Sequence, residues 1–307
     1  MITLHSLADF PKDLRSVVTL GTFDGVHEGH RAILARLMEA AKKTDAVSVV
    51  LTFYPHPRSV VEHATAVQWL NTLEEKEQLL ADLGIDYLIV LPFTPAFSQQ
   101  SAEEFVLNYL VNGLHIQQII IGHDHRFGKN RSANFDDLVL FGQKYQFDVE
   151  QITAQEIEAV AVSSTKVRNQ LLAGDVAQAK RLLGGAYMLK GLVVHGKQLG
   201  RTIGFPTANL QWNNADKLLP QQGVYVVEVE ALGKRYRGML NIGNNPTVDG
   251  TGWHVEVHLL NFTGDLYGQW VTVWFCERLR DEMKFQSVEA LKTQLALDRI
   301  QAEHYSA

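Results

Sequence analysis

The chain has 307 residues, with 28 Lys+Arg against 34 Asp+Glu and a formal net charge of −6. That balance excludes a surface given over to nucleic acid, which needs a basic face, but allows a small anionic ligand held by a few local donors. With 46% hydrophobic and 20% charged residues the composition is globular, and at about 150 residues per domain the length predicts two domains. The single cysteine, Cys276, excludes an internal disulfide framework and a cysteine-rich zinc site. It ends an alternating apolar stretch, 271–276, and reads as a packed core thiol. No apolar run approaches the roughly 18–20 residues of a membrane span. The first eleven residues lack the basic and apolar regions of a signal peptide, so a cytoplasmic location without a membrane partner is expected.

In chain order, strands are predicted at 16–20, 47–53, 87–91 and 118–121, and helices at 30–43, 73–83, 102–114 and 135–145. Two helices open with capping boxes, Thr72-Leu-Glu-Glu75 and Ser101-Ala-Glu-Glu104, which satisfy first-turn N–H groups. Strand–helix alternation predicts a parallel sheet covered by helices, with ligands beyond the carboxyl ends of the strands. After Gly184-Gly185 the pattern changes to short alternating strands, among them 224–230, 255–259 and 271–275, separated by Gly, Pro and Asn turns. These predict a small antiparallel barrel or sandwich without a convincing helix. A final amphipathic helix over 287–299 is expected to cover one opening. The domains are therefore drawn as 1–185 and 186–307.

The first predicted strand runs into Gly21-Thr-Phe23-Asp24-Gly25-Val-His27-Glu-Gly29-His30, at the start of the first helix. Glycines allow close backbone approach, and a helix N-terminus favours an anion. His27 and His30, three apart, share a helical face and can donate to phosphate oxygens. A metal pair, incidental surface histidines and a satisfied core histidine are alternatives. The zinc-protease spacing is one residue too long for His-Glu-Gly-His. This segment resembles the HxGH nucleotidyltransferases, and within them the adenylyltransferase module of bacterial FAD synthetases. The resemblance implies a Rossmann-like α/β domain with His27, His30 and Arg168 as charge-stabilising catalytic groups. It places nucleotide contacts at Gly21, Phe23, Asp24, Gly25, Gly29, Asp124, Ser163, Ser164 and Thr165. Ser163-Ser164-Thr165-Lys166-Val167-Arg168 is similar to the family's phosphate clamp, although an N-cap followed by a solvated Arg would read the same way. Gly122-His-Asp124-His125-Arg-Phe127-Gly128 is similar to a family loop, with His125 where Phe is expected. Thr52-Phe-Tyr-Pro-His-Pro57 resembles a loop bordering a flavin pocket; alone it reads as a rigid turn.

In the second half, Gly191-Leu-Val-Val-His-Gly196-Lys197 matches part of a P-loop but is followed by Gln198, without the Mg²⁺-binding hydroxyl and without a predicted helix. A Walker site is therefore rejected. Gly200-Arg-Thr-Ile-Gly204-Phe-Pro206-Thr207-Ala-Asn209 places a hydroxyl and an amide carbonyl on one side of an extended chain, as Mg²⁺ ligation needs. The stretch from Gly191 to Asn209 resembles the riboflavin kinase signature, as do Gly223-Val-Tyr225, the run from Gly238 to Thr247, Val255-Glu256-Val257-His258 and the run from Leu279 to Asp298. That resemblance implies a small β-barrel with a terminal helix, nucleotide contacts at Gly196, Lys197, Gly204 and Pro206, and Mg²⁺ at Thr207 and Asn209. It also implies flavin contacts at Arg280, Met283 and Phe285, and Glu256 as the base for the ribityl hydroxyl; without it Glu256 reads as a solvated carboxylate. The whole chain is thus expected to convert riboflavin to FMN and FMN to FAD with ATP. A non-flavin HxGH transferase would leave the second half unused, and a silent flavin-binding regulator would bind without turnover.

Overall fold

Five consecutive residues, Ser16–Leu20, are buried, as a strand flanked on both edges and covered on both faces requires. The computed structural model describes residues 1–61, 68–123, 125–153, 162–196, 199–212, 216–244 and 252–306. Its first compact unit, Met1–Ser164, contains β1 (Ile2–Leu4), β2 (Ser16–Leu20), β3 (Val47–Tyr54), β4 (Tyr87–Pro92), β5 (Ile116–Gly122) and β6 (Asp148–Ile152). They form one parallel sheet in the order β1-β4-β3-β2-β5-β6. The chain leaves β2 toward β3 on one side and returns to β5 on the other. The crevice at the carboxyl end of β2 is therefore the switch point at which such sheets bind ligands.

Side chains alternate between two apolar layers. Val18, Leu20, Val49, Leu51, Ile89 and Ile119 face one layer. Val17, Val50, Leu88 and Ile120 face the other, with Ile33, Leu34 and Leu37 of α1 (Glu28–Lys43). Each such aliphatic side chain contributes about 1.5–3 kcal/mol on burial. The hydroxyls in β2 are satisfied internally, Ser16 Oγ donating to Leu114 O at 2.6 Å and Thr19 Oγ1 to Ile120 O at 2.7 Å. Helix α2 (Leu73–Leu83) carries the expected capping box and ends on Gly84 in the left-handed conformation. The helix predicted at 102–114, α3, has a π-helical middle, Val106–Val111, and α4 covers Phe135–Tyr145. Two edge strands, β1 and β6, were not expected. Each pairs on one edge only, and β6 carries Asp148, Glu150 and Gln151 in place of an apolar run.

The second unit, Thr165–Ala307, is a closed antiparallel barrel in the order β10-β11-β8-β7-β12-β9. Its strands are β7 (Tyr187–Val194), β8 (Ala208–Gln211), β9 (Gly223–Ala231), β10 (Lys234–Asn244), β11 (Trp253–Leu259) and β12 (Trp270–Arg280). Closure removes free edges. Helix α5 (Ser164–Leu172) is followed by α6 (Val176–Leu183), which buries Val176, Ala179 and Leu183 and packs on β12 and β7. The boundary between compact units thus precedes the expected 185 junction by two helices, because the apolar face of α6 is satisfied by the barrel. Cys276 is 6% exposed in a satellite cluster with Val226, Met239, Leu260 and Ala302, as expected for a packed thiol.

The terminal helix, α7, runs from Val288 to His304, and its only buried residues are Asp298 and Ala302. The amphipathic expectation is corrected: polar anchors rather than an apolar stripe hold it. Arg280 of β12 donates from Nε and Nη2 to the Asp298 carboxylate at 2.7–3.1 Å, and Gln294 Nε2 donates to the same carboxylate at 2.8 Å. Arg237 donates to Ala302 O and Tyr305 O. Removing one member of a buried ion pair strands the other charge. Arg280→Ala is therefore expected to destabilise the barrel by about 3 kcal/mol, measured by denaturant unfolding; a loss below about 1 kcal/mol would contradict this role.

Candidate active site

At the carboxyl end of β2 the chain makes a tight turn and enters α1. Phe23, Gly25 and Val26 have positive φ angles of 46, 91 and 41°. A β-branched residue in this region is strained, and such strain persists only where surrounding structure holds it. Gly21 is closely packed: a Cβ there would lie 3.1 Å from the Phe23 ring. His27 is the N-cap of α1, its Nδ1 accepting the His30 N–H at 3.3 Å. An accepting Nδ1 leaves the proton of the neutral ring on Nε2, which makes Nε2 a donor. The two imidazoles stack with centroids 3.6 Å apart, and the Phe23 ring meets His30 edge-on at 5.1 Å. Gly29 is buried in the first turn of α1.

Burial, then the neighbouring His27 and Lys76, hold the His30 pKa well below the ordinary imidazole value, so it is neutral near pH 7. His30 Nδ1 is buried with no hydrogen-bond partner among the described residues. A stacked imidazole pair at a helix N-terminus can receive a polyphosphate, whose negative charge favours protonation at the moment of binding.

Asp24 is held by the segment before α2. Its carboxylate is 6% exposed and accepts the N–H groups of Leu70 and Asn71 at 2.9 and 3.3 Å. It anchors the segment leading into α2. Its backbone carbonyl accepts Ser164 Oγ at 2.9 Å, joining the two motifs across 140 residues. Ser163 and Thr165 are exposed, and Arg168, half-buried, follows Ser164 by one helical turn on α5. Asp124 lies outside the described residues. In the same loop His125 lies parallel to Phe127, their ring centroids 6.1 Å apart. Beyond β3, His56 stacks on Trp69 at 4.0 Å. Lys76 and Asn71 were missed: a lysine in the first turn of a capped helix reads as solvated, yet Lys76 is 9% exposed.

In the barrel, alternation along β11 buries Val255, Val257 and Leu259 and turns His254, Glu256 and His258 to the opposite face. Glu256 pairs in register with Asn209 of β8 and accepts a hydrogen bond from Thr207 Oγ1 at 3.3 Å. Thr207, Asn209 and Glu256 thus come together. His258 Nδ1 donates to the Pro206 carbonyl at 2.7 Å, a contact the sequence did not signal, and holds the chain just before Thr207. A Cβ at Gly196 would overlap the Asn209 amide, so glycine there lets the backbone close over that side chain. Gly204 has φ +87° with open space around its Cβ position, so its requirement is conformational. A four-residue helical turn, Leu199–Thr202, follows the rejected P-loop match, against the expectation of no helix. It is too short to supply a Walker-type helix. Lys197 and residues 245–247 lie outside the described residues.

The three predicted flavin contacts lie at the end of β12. The Arg280 guanidinium is engaged by Asp298 and sits 5.8 Å from the Phe285 ring centroid, while the Met283 side chain is 50% exposed. Arg280 therefore orients this segment, which leaves Phe285 and Met283 as its apolar surface.

The FAD synthetase family pattern matches residues 10–166 and the riboflavin kinase pattern residues 183–306. Together with the sheet and barrel, these matches define a two-site transferase, with one FAD synthetase unit and one riboflavin kinase unit. Over 296 residues the chain is 43% identical to the bifunctional riboflavin kinase/FMN adenylyltransferase of Pseudomonas fluorescens, covering 96% of this chain and 94% of the relative. It is 39% identical to the protein of the same description from Escherichia coli K12, covering 98% and 96%. The chain belongs to the bifunctional riboflavin kinase/FMN adenylyltransferase family. A solved structure from Streptococcus pneumoniae, described as a macrolide-efflux protein, superimposes with a TM-score of 0.89 at 34% identity over 99% of both chains. No helix among the described residues of the present chain is long and apolar enough to cross a membrane.

Proposed function

We propose that the barrel phosphorylates riboflavin to FMN and the sheet unit adenylylates FMN to FAD, with the division of activities near residue 185. The supporting observation is that each unit holds its own phosphate-handling set: stacked histidines at the N-terminus of α1 and the Thr207–Glu256–Asn209 group on the barrel.

In the kinase reaction the Glu256 carboxylate takes the proton from the ribityl 5′-hydroxyl. That oxygen bonds to the γ-phosphorus of ATP, and ADP leaves. Thr207 orients the Glu256 carboxylate through its hydroxyl. A threonine hydroxyl and an asparagine carbonyl beside a carboxylate form an all-oxygen donor set suited to Mg²⁺. The Gly196 backbone, packed so closely that a Cβ would meet the Asn209 amide, fixes one of those donors. Thr207 and Asn209 would hold the ion, which when bound supplies positive charge to the ATP phosphates. Gly196, Lys197, Gly204 and Pro206 border the nucleotide, and Met283 and Phe285, set by Arg280, border the flavin.

In the adenylyl transfer a phosphate oxygen of FMN bonds to the α-phosphorus of ATP, the bond to the bridging oxygen breaks, and pyrophosphate leaves. No protein nucleophile takes part. His27, His30 and Arg168 stabilise charge on the phosphates, with Gly21, Gly25, Gly29, Ser163, Ser164, Thr165 and Asp124 bordering the nucleotide and Phe23 shaping the turn. A cytoplasmic location, where ATP is at hand, accords with this reading. The test is incubation of the chain with riboflavin, ATP and Mg²⁺, followed by chromatographic separation of the flavins. FMN and FAD are both expected. Flavin binding without turnover would instead favour a silent regulator, and absence of both products would end the present reading.

A further inference from the structure

Two polar side chains from different elements of the barrel unit converge over one glycine. Gly243 of β10 pairs directly with His254 of β11. A Cβ on Gly243 would overlap the His254 ring and crowd the Glu282 carboxylate. Both side chains therefore rest against the same piece of backbone, which only the missing Cβ leaves open to them. His254 Nε2 is 3.9 Å from Glu282 Oε1, close enough for polar attraction but longer than a hydrogen bond. The same nitrogen lies 3.5 Å from Nδ2 of Asn241, and Asn241 pairs in register with Glu256. Residues directly opposite on neighbouring strands have adjacent side chains. A continuous row thus runs from Glu282 through His254 and Asn241 to Glu256.

Glu282 belongs to the segment 281–285, which also carries Met283 and Phe285. Where this segment leaves β12 it is already fixed. Arg278 Nη2 donates to Asp281 Oδ1 at 2.6 Å, and Arg280 Nη1 donates to the Asp281 carbonyl at 3.0 Å. The next residue, Glu282, adds a tie in another direction, to β11. Its partner there, His254, stands two residues from Glu256 on the same face of the strand.

We propose that His254 and Glu282 are positioning residues for riboflavin phosphorylation. Seated together over Gly243, they hold the 281–285 segment against the strand face that carries Glu256. The proposal rests on the assignment of riboflavin phosphorylation to the barrel. Neither residue touches the reacting atoms. A flavin whose ring borders Met283 and Phe285 must also present its ribityl hydroxyl to Glu256, and the tie sets the spacing between these two requirements. It acts equally before and during phosphoryl transfer, so its loss weakens riboflavin binding and leaves the chemical step alone. ATP, bordered by other residues, is unaffected.

The test measures kcat of FMN formation and the KM values for riboflavin and ATP in the full chain carrying His254→Gln, Glu282→Gln, both together, or Gly243→Ala. Each single polar variant is expected to raise the riboflavin KM about five-fold, the scale of a partly exposed polar pair. Both kcat and the ATP KM should stay within about two-fold of wild type, a split that a merely structural loss would not give. The double variant should be no worse than either single one, because each removes the same contact. Gly243→Ala, which puts a methyl group beneath the pair, should raise the riboflavin KM with both polar residues in place. FAD formation from added FMN serves as the control for folding. A riboflavin KM within about two-fold of wild type in both single variants would overturn the proposal. So would a double variant whose effect is the product of the two single ones, or a fall in kcat with the riboflavin KM unchanged. A wild-type chain that makes no FMN from riboflavin would instead bring down the assignment of phosphorylation to the barrel.

Discussion

Replacing both His27 and His30 by alanine is expected to lower FAD formation from FMN by at least about 10³-fold, while FMN formation from riboflavin continues. Preorganised donors aimed at developing phosphate charge are each worth about 10²–10³ in rate, and this pair is fixed before substrate arrives. His27 is held by the N–H of His30, and His30 lies between the His27 and Phe23 rings. Because His27 also caps α1, part of any loss in an alanine variant comes from about 1 kcal/mol of missing cap. His27→Asn separates the two effects. Asparagine caps as well as any residue but lacks the imidazole, so FAD formation should still fall while unfolding of the first unit is unchanged. Retained FAD synthesis in the double alanine variant would show that these histidines do not form the adenylyl-transfer site.

Replacing Glu256 should do the opposite. Glu256→Gln preserves shape and can still meet the Thr207 hydroxyl, but it cannot accept a proton from the substrate. A loss of about 10²–10⁴ in kcat for riboflavin phosphorylation is expected, the usual contribution of a general base, with FAD formation from added FMN unaffected. Barrel stability should also be preserved, because Glu256 lies on the half-exposed face of β11 while Val255, Val257 and Leu259 supply the core contacts. If kinase activity survives in Glu256→Gln, another group takes the proton. His254 and His258, on the same face of the strand, would then be the next to test.

These variants rest on features that differ in how far the sequence revealed them. Strands β2 to β5 were readable because a central parallel strand is covered on both faces and is rich in β-branched and other apolar residues. The face of β11 was readable because alternation has period two and leaves no ambiguity about Glu256. Edge strands β1 and β6 escaped notice because an edge pairs on one side only and needs no continuous apolar run. The π-helical segment Val106–Val111 carries no compositional mark. Helix α7 was predicted from periodicity, but its anchorage by Asp298 depends on Arg280, which lies 18 residues earlier in the chain.

Among the site residues, His27, His30, Thr207, Asn209 and Glu256 stood in short motifs, where a few neighbouring side chains define the chemistry. Asp24 stood in a motif as well, yet its carboxylate turns inward to the N–H groups of Leu70 and Asn71. That direction depends on a segment 46 residues away. His258 is tied to Pro206 across 52 residues and could not be distinguished from any other histidine on a half-exposed strand.

By itself, the sequence determined the two-domain organisation, the strand faces, the motif residues and the compatibility of an acidic chain with phosphate ligands. Each of these follows from local periodicity, local turn chemistry or composition. Only the tertiary structure decided which charges are buried and what they face. Lys76 reads as a solvated lysine until α2 is packed beside the 21–27 turn, and His30 as an ordinary imidazole until burial, His27 and Lys76 lower its basicity. Desolvation and Coulomb interactions depend on distances through space, and those distances are set when strands and helices far apart in the chain are brought together.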